Sequence, residues 1–519
     1  MQTSPIVFSA YQNAFFQFVE KGKGNAILEA VAGSGKTTTI VESARRMKGW
    51  VMLLAYNTKM GNELKERIAG LTNVRAGTFH SAGFAALRFN LKQFKLQLDD
   101  KKVYKIAQAI VDNGRKDLEN LVGPVADIVS MAKQRGIGAL VSEHDEFEWM
   151  DMIDHFGLYE NIPEDVDLNK VIKFAQVVLK RSNTDLNTID YNDMIYIVLQ
   201  RNLRTLQSDW VLIDEAQDTN PTRRALAKKL LKPGGRLVAV GDPAQAIFGF
   251  TGADNDALEQ IARDFKCQKL PLTVTYRCPK AVVRHAKTWV SHIEAADTAP
   301  EGEVLSMPYE NVMAEAKVGD AVLCRYNKYL VNLCFKFIRA GVPAKMEGRN
   351  IGEGLVKLSQ RWKVKTLETL EKRLETYLER EVAKWMAKDK EMQADAVKDR
   401  VETLMVLIDR AREQNIHTVA ELTKMIMELF EDNAGSRKPC VVLSSAHRSK
   451  GLEWNRVFLL GREEFMPSVM ARRPWQMEQE NNLIYVAVTR AKQTLIEVTG
   501  VRDSNKTEKE QKKEEQEAA

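Results

Sequence analysis

The chain has 519 residues, more than one compact core accommodates, so length alone asks for about two to four domains. A hydrophobic fraction of 44% and a charged fraction of 28% describe an ordinary globular protein and exclude a fibrous or disordered one. The net charge of +6 suits a polyanionic partner, but over this length it is too dilute to identify one.

No apolar run approaches the roughly 18 residues that span a bilayer. The start, MQTSPIVFSAYQNAFFQF, lacks the pattern of a secretory signal, so a cytoplasmic protein is expected. Cys267, Cys278, Cys324, Cys334 and Cys440 are odd in number and form no CxxC pair, which argues against a disulfide framework and a zinc site.

In chain order, the apolar run NAILEA precedes a glycine loop that opens a helix, and WVLIDEA and RLVAVGD follow after a gap. A later set comprises DAVLCRY, CVVLSSA, RVFLLG and TLIEVTG. Apolar runs that end in polar motifs and lead into helical patterns predict parallel α/β units, here two doubly wound sheets. Residues 91–189 carry helical spacing without a clear strand run and are expected to be a helical insertion of the first domain, built from 1–90 and 190–275.

Residues 276–350 and 436–502 are expected to form the second domain, with a shorter helical insertion at 351–435. There Leu367, Leu370, Leu374, Tyr377 and Leu378 recur at helical spacing, which predicts an amphipathic helix packed on its neighbours. A partner-binding coiled coil is the alternative, although the heptads fail at Glu381. Residues 503–519 form a charged tail expected to be mobile.

The strongest local signal is AVAGSGKTTT, in which Ala32, Gly33, Ser34, Gly35, Lys36, Thr37 and Thr38 follow a strand candidate. Glycines let backbone N–H groups turn inward around phosphate oxygens, and the helix N-terminus behind them favours negative charge. The loop departs from the usual pattern in having Ala30 where glycine is common. Lys36 is expected on the β- and γ-phosphates of ATP and Thr37 on Mg²⁺. Asp214, at the end of WVLI, is expected to hold Mg²⁺ through water, with Glu215 orienting and deprotonating the attacking water. Gln245, after LVAVGD, is placed to sense the γ-phosphate.

With these strings in view, the chain resembles the UvrD/Rep branch of superfamily 1 helicases along nearly its whole length. AYNTKMGNELKERI, GTFHS, DYNDM, DEAQDTN, VGDPAQAIFGFTGA, TYRCP, LSSAHRSKGLEW and NNLIYVAVTRA occur in that family's order. The resemblance implies two RecA-like domains, each with an inserted domain, and ATP-driven 3′→5′ movement on single-stranded DNA with unwinding of duplex. It also implies roles: Gln12 as adenine reader, Tyr276 stacking on the base, Glu453 near the ribose, and Arg277 and Arg490 reaching the γ-phosphate. The second sheet has no phosphate loop, so it serves ATP only by presenting cations to charge developing in the transition state. The alternative for Arg490 is a structural salt bridge.

Stacking on aromatic faces binds bases without reading sequence, as a processive motor requires. Phe248 and Phe250 in AIFGFTG match strand-lining positions of the family, as do Tyr56, Phe79, His80 and His447. A core role is the alternative for Phe248 and Phe250, and a satisfied buried site for His80 and His447. Phe replaces the family's frequent Tyr and Trp in AIFGF, and Thr251 stands where Arg is common, which lowers the stacking area and charge of the groove. Competing functions are a translocase that strips proteins from single strands without unwinding, and a non-catalytic nucleotide switch in a recombination complex. A helicase–nuclease is disfavoured because few residues follow VTRAK.

Overall fold

The computed structural model describes residues 7–92, 95–158, 162–163, 166–247, 256–387, 391–430, 439–471 and 474–501. The tail at 503–519 and the candidate strand contacts Phe248 and Phe250 lie outside them. The chain divides into two compact units, Met1–Val274 and Thr275–Ala519, and each carries a six-stranded parallel sheet. The fold is two RecA-like doubly wound α/β domains.

In the first unit the lateral order is Val74–Thr78, Val51–Ala55, Ser208–Ile213, Leu231–Gly241, Asn25–Ala30, Cys267–Leu272. Both faces of these strands are apolar, which is why the central runs read as continuous rather than alternating. Ala26, Leu28, Leu53, Leu212 and Val240 pack with Phe15, Phe16, Ile40 and Leu64 on one side. Ile27, Leu54, Val211, Ile213 and Ala239 face the other side, where the helical insertion covers them. The insertion therefore shares its core with the sheet: Val125, Ile128, Trp149 and Val178 belong to the same buried cluster as Ile27 and Leu54.

The insertion consists mainly of helices Lys102–Asp112, Val122–Arg135, Glu146–Phe156 and Leu168–Thr184. It also contains a two-residue parallel ladder, Gln97–Leu98 against Thr188–Ile189, too short to register as an apolar run. A buried charge network ties it to the DYNDM segment. Lys133 Nζ lies 2.6 Å from Asp190 Oδ2 and 2.7 Å from Asp193 Oδ1, and Lys102 Nζ lies 2.7 Å from Asp193 Oδ2.

In the second unit the lateral order is Glu303–Pro308, Ala491–Thr499, Trp454–Leu460, Ala321–Cys324, Val441–Ser445, Ala344–Met346. Helices Arg349–Ser359, Leu367–Met386, Glu391–Glu413 and Val419–Leu429 pack beside it. Leu367, Leu370 and Leu374 are buried in one cluster with Val401, Leu404 and Leu407 and with the sheet residues Val322 and Leu443. Their apolar stripe is thus used inside the chain, as an amphipathic packing helix. Asp399 fastens this insertion to the start of helix Asn327–Arg339, which follows strand Ala321–Cys324, accepting from the backbone N–H and the side-chain amide of Asn327, both at 2.9 Å.

Candidate functional site

Three neighbouring strands of the first sheet end side by side and carry the chemistry of this unit. Asn25–Ala30 leads into the glycine loop, Ser208–Ile213 into Asp214 and Glu215, and Leu231–Gly241, between them, into Asp242. In parallel α/β sheets, ligands bind outside such carboxyl ends. Gly33 at φ 71° and Gly35 at φ 79° both occupy the left-handed region, where a side chain is costly, and Gly35 stands at the N-cap of helix Lys36–Arg46. The buried hydroxyl of Ser34 has no hydrogen-bond partner among the described residues. The orphan donor and the inward-turning loop fit a phosphate group.

Lys36 Nζ lies 3.3 Å from Glu215 Oε1. Burial works against the ammonium charge, but Glu215, Asp242 and Asp214 outweigh it and hold the pKa of Lys36 above its ordinary value. The same crowding acts in reverse on the acids. Burial, then the charge of Glu215, pushes Asp214 up to about 7 against the pull of Lys36. Asp242 is also raised by burial, with Lys36 and a hydrogen bond from Gln245 opposing. Three carboxylates around one ammonium leave negative charge that a divalent cation would neutralise.

Among the described residues no group of three or more His, Cys, Asp or Glu side chains could hold a metal ion by itself. Thr37 and Thr38 lie half-buried in the first turn of the helix, and Ala32 is buried at the start of the loop. Gln245 is buried, and its amide donates to Asp242 Oδ2 at 2.6 Å. Gln12 closes a capping box with Ser9 and donates to Thr39 Oγ1 at 2.8 Å, so its amide is linked to the phosphate-loop helix.

In the second unit, Arg277, Glu453 and Arg490 gather around Thr489. Arg277 Nε donates to Glu453 Oε2 at 2.7 Å, and Nη1 donates to the Thr489 carbonyl at 3.4 Å. Burial raises the Glu453 carboxyl, but Arg277 and Lys492 hold it below its ordinary value. Arg490 is fully buried, its guanidinium donating to the carbonyls of Val486 at 2.7 Å and Leu452 at 3.2 Å and to Thr489 Oγ1 at 3.2 Å. These three acceptors are neutral groups. The Tyr276 ring beside them is 47% exposed.

The strand-contact residues fare unevenly. Phe79 requires correction: it is 2% exposed and lies in the apolar core at the first position of helix Phe79–Asn90, so its ring is used in packing. His80 is held neutral, pushed down to about 4 by burial and by Arg223. The Arg223 guanidinium lies 4.9 Å from the centre of the Tyr56 ring, and His80 meets Tyr191 edge-on at 6.3 Å. Tyr191 is 51% exposed and joins Tyr56, His80 and Arg223 in an aromatic and cationic group that motif matching alone did not single out. His447 is pushed down to about 3 by burial and by Arg325, and lines a cavity of about 380 Å³ with Arg325, Arg400 and Arg448.

Comparison with known proteins accords with this geometry. Residues 12–266 match the UvrD/REP helicase N-terminal domain, and residues 148–499 match the UvrD-like helicase C-terminal domain. DNA helicase II of Haemophilus influenzae is 22% identical, with 91% of this chain and 81% of that protein covered. F-box DNA helicase protein 1 of Schizosaccharomyces pombe is 23% identical over 90% of this chain, which spans 55% of that relative. ATP-dependent DNA helicase PcrA of Bacillus subtilis is 25% identical over 52% of this chain and 38% of its own length. Two parallel sheets, a phosphate loop facing an Asp-Glu pair and these two domain matches have one consequence: the chain belongs to the UvrD/Rep family of ATP-dependent DNA helicases.

Proposed function

We propose that the protein moves 3′→5′ along single-stranded DNA and unwinds duplex ahead of it, using ATP with Mg²⁺. Lys36 neutralises the β- and γ-phosphates, Thr37 and Asp214 hold the metal, Glu215 takes the proton of the attacking water, and Gln245 senses the γ-phosphate. A bound Mg²⁺ supplies charge neutralisation at the phosphates. Gln12, Tyr276 and Glu453 hold the nucleoside, and Arg277 and Arg490 stabilise the transition-state charge. Tyr56, His80, Tyr191 and His447 grip the strand, with Phe248 and Phe250 as further stacking candidates.

The observation that carries this reading is the Lys36–Glu215 pair at 3.3 Å, set among Asp214 and Asp242 beside a loop with two left-handed glycines. A nucleotide switch has no need of a water-activating carboxylate in that place. DNA-stimulated ATP hydrolysis tests it: turnover that rises when a single-stranded oligonucleotide is added supports the motor, and no hydrolysis under any condition supports the switch. The second reading, a translocase that displaces proteins without unwinding, draws support from the reduced aromatic area of AIFGF. It predicts the same ATPase without strand displacement.

A further inference from the structure

We infer that Gln217 is a positioning residue that ties the carboxylate of Glu215 to the segment Asp242–Gln245, joining water activation to γ-phosphate sensing; this rests on the role of Glu215 proposed above. Gln217 is 2% exposed. Its Nε2 donates to Glu215 Oε2, and its Oε1 accepts from the backbone N–H of Asp242 at 3.1 Å. The two partners fix the orientation of the amide, because a carboxylate takes only a donor and a backbone N–H only an acceptor.

Asp242 in turn accepts from Gln245 Nε2 at 2.6 Å, so the path Glu215, Gln217, Asp242, Gln245 is continuous. The end of the strand is shaped to admit this side chain. A Cβ on Gly241 would stand 2.5 Å from Gln217 Oε1 and 3.1 Å from Gln217 N, closer than side chains pack.

Glu215 needs such an anchor. Its backbone stands at φ 50° and ψ 46°, a left-handed conformation that a residue with a side chain seldom adopts. One carboxylate oxygen faces Lys36 and the other faces Gln217. When Lys36 turns to phosphate oxygens, its hold on Glu215 weakens, and Gln217 still fixes the plane of the carboxylate and its distance from the sensing segment. A glutamine kept only to satisfy the buried Asp242 N–H would have no effect on turnover beyond its effect on stability.

Two variants of the full chain separate these roles. Gln217→Met keeps volume and removes both hydrogen bonds, whereas Gln217→Glu keeps an acceptor for Asp242 and sets a like charge against Glu215. ATP turnover, the KM for ATP and melting temperature are measured on each, with and without oligo-dT. A misplaced base is expected to lower kcat by about 10- to 100-fold in both, with KM changed by less than about threefold. Parental kcat in a folded Gln217→Met overturns the inference; if that variant does not fold, parental kcat in Gln217→Glu does so. Glu215→Gln serves as reference: undiminished turnover there overturns both the role of Glu215 and this inference. An inactive Glu215→Gln beside a parental Gln217→Met overturns this inference alone.

Discussion

Arg277 Nε stands 2.7 Å from Glu453 Oε2, so the residue assigned to the γ-phosphate and the residue assigned to the ribose form one ion pair within the second unit. The pair holds a guanidinium that is largely covered, since the Arg277 side chain is 17% exposed and that of Glu453 45%. Arg490 is set differently, buried among the carbonyls of Val486 and Leu452.

The two arginines should therefore respond differently to truncation. Arg277→Ala is expected to lower ATP turnover by on the order of 10³-fold with little change in melting temperature. Arg490→Ala should lose turnover to a similar extent and also melt earlier, because it removes the hydrogen bonds of a buried guanidinium, and bonds from a charged group contribute about 1.5–3 kcal/mol each. Turnover and melting curves on each variant and on the double variant check this. The losses in turnover should combine sub-additively, since both act on one transition state.

Lys36→Ala should abolish turnover, and Glu215→Gln should bind ATP yet hydrolyse it about 10²- to 10⁴-fold more slowly, the range expected for a missing general base. Nucleotide affinity and single-turnover hydrolysis distinguish the two. Hydrolysis at the parental rate in either variant contradicts the assignment of that residue.

Asp214 makes stability depend on pH. Its folded value near 7 lies above its unfolded value near 3.8, so the folded ligand-free chain holds a proton that the unfolded chain releases between them. The resulting stability is complete below the unfolded value and is lost as pH rises through the folded one. Asp214→Asn removes that loss, so its melting temperature should exceed the parent's by a margin that grows from pH 5 to pH 8, while turnover disappears. A margin independent of pH contradicts the account.

Phe79 and Tyr191 form a contrasting pair. Phe79→Ala should cost about 3–5 kcal/mol of stability, as a core phenylalanine does. Tyr191→Ala should leave stability nearly unchanged and weaken binding of a single-stranded oligonucleotide by about 1–3 kcal/mol, roughly one to two orders of magnitude. Fluorescence anisotropy and thermal melting on both variants give the comparison, and an unchanged affinity in Tyr191→Ala removes that ring from the track.

Much of the fold was legible because strands buried on both faces leave long apolar runs, as in NAILEA and WVLI. Edge strands leave none: Glu303–Pro308 is exposed or half-exposed throughout, and Ala344–Met346 has three residues. The burial of Phe79 could have been found, because Phe79, Gly83, Ala86 and Leu87 share one helical face. The exposure of Tyr191 could not, since it depends on Asp190 and Asp193 being drawn inward onto Lys102 and Lys133 from distant helices. The partnership of Gln217 with Asp242 was equally hidden, for it needs two strands brought side by side and a glycine at Gly241 that leaves room.

Strand displacement on duplexes carrying either a 3′ or a 5′ single-stranded tail tests the central claim most directly. With ATP and Mg²⁺, the protein should release the complementary strand from the 3′-tailed substrate, leave the 5′-tailed one intact, and lose this activity in Lys36→Ala. Release from the 5′-tailed duplex alone, or DNA-stimulated ATP hydrolysis without release from either, would contradict it.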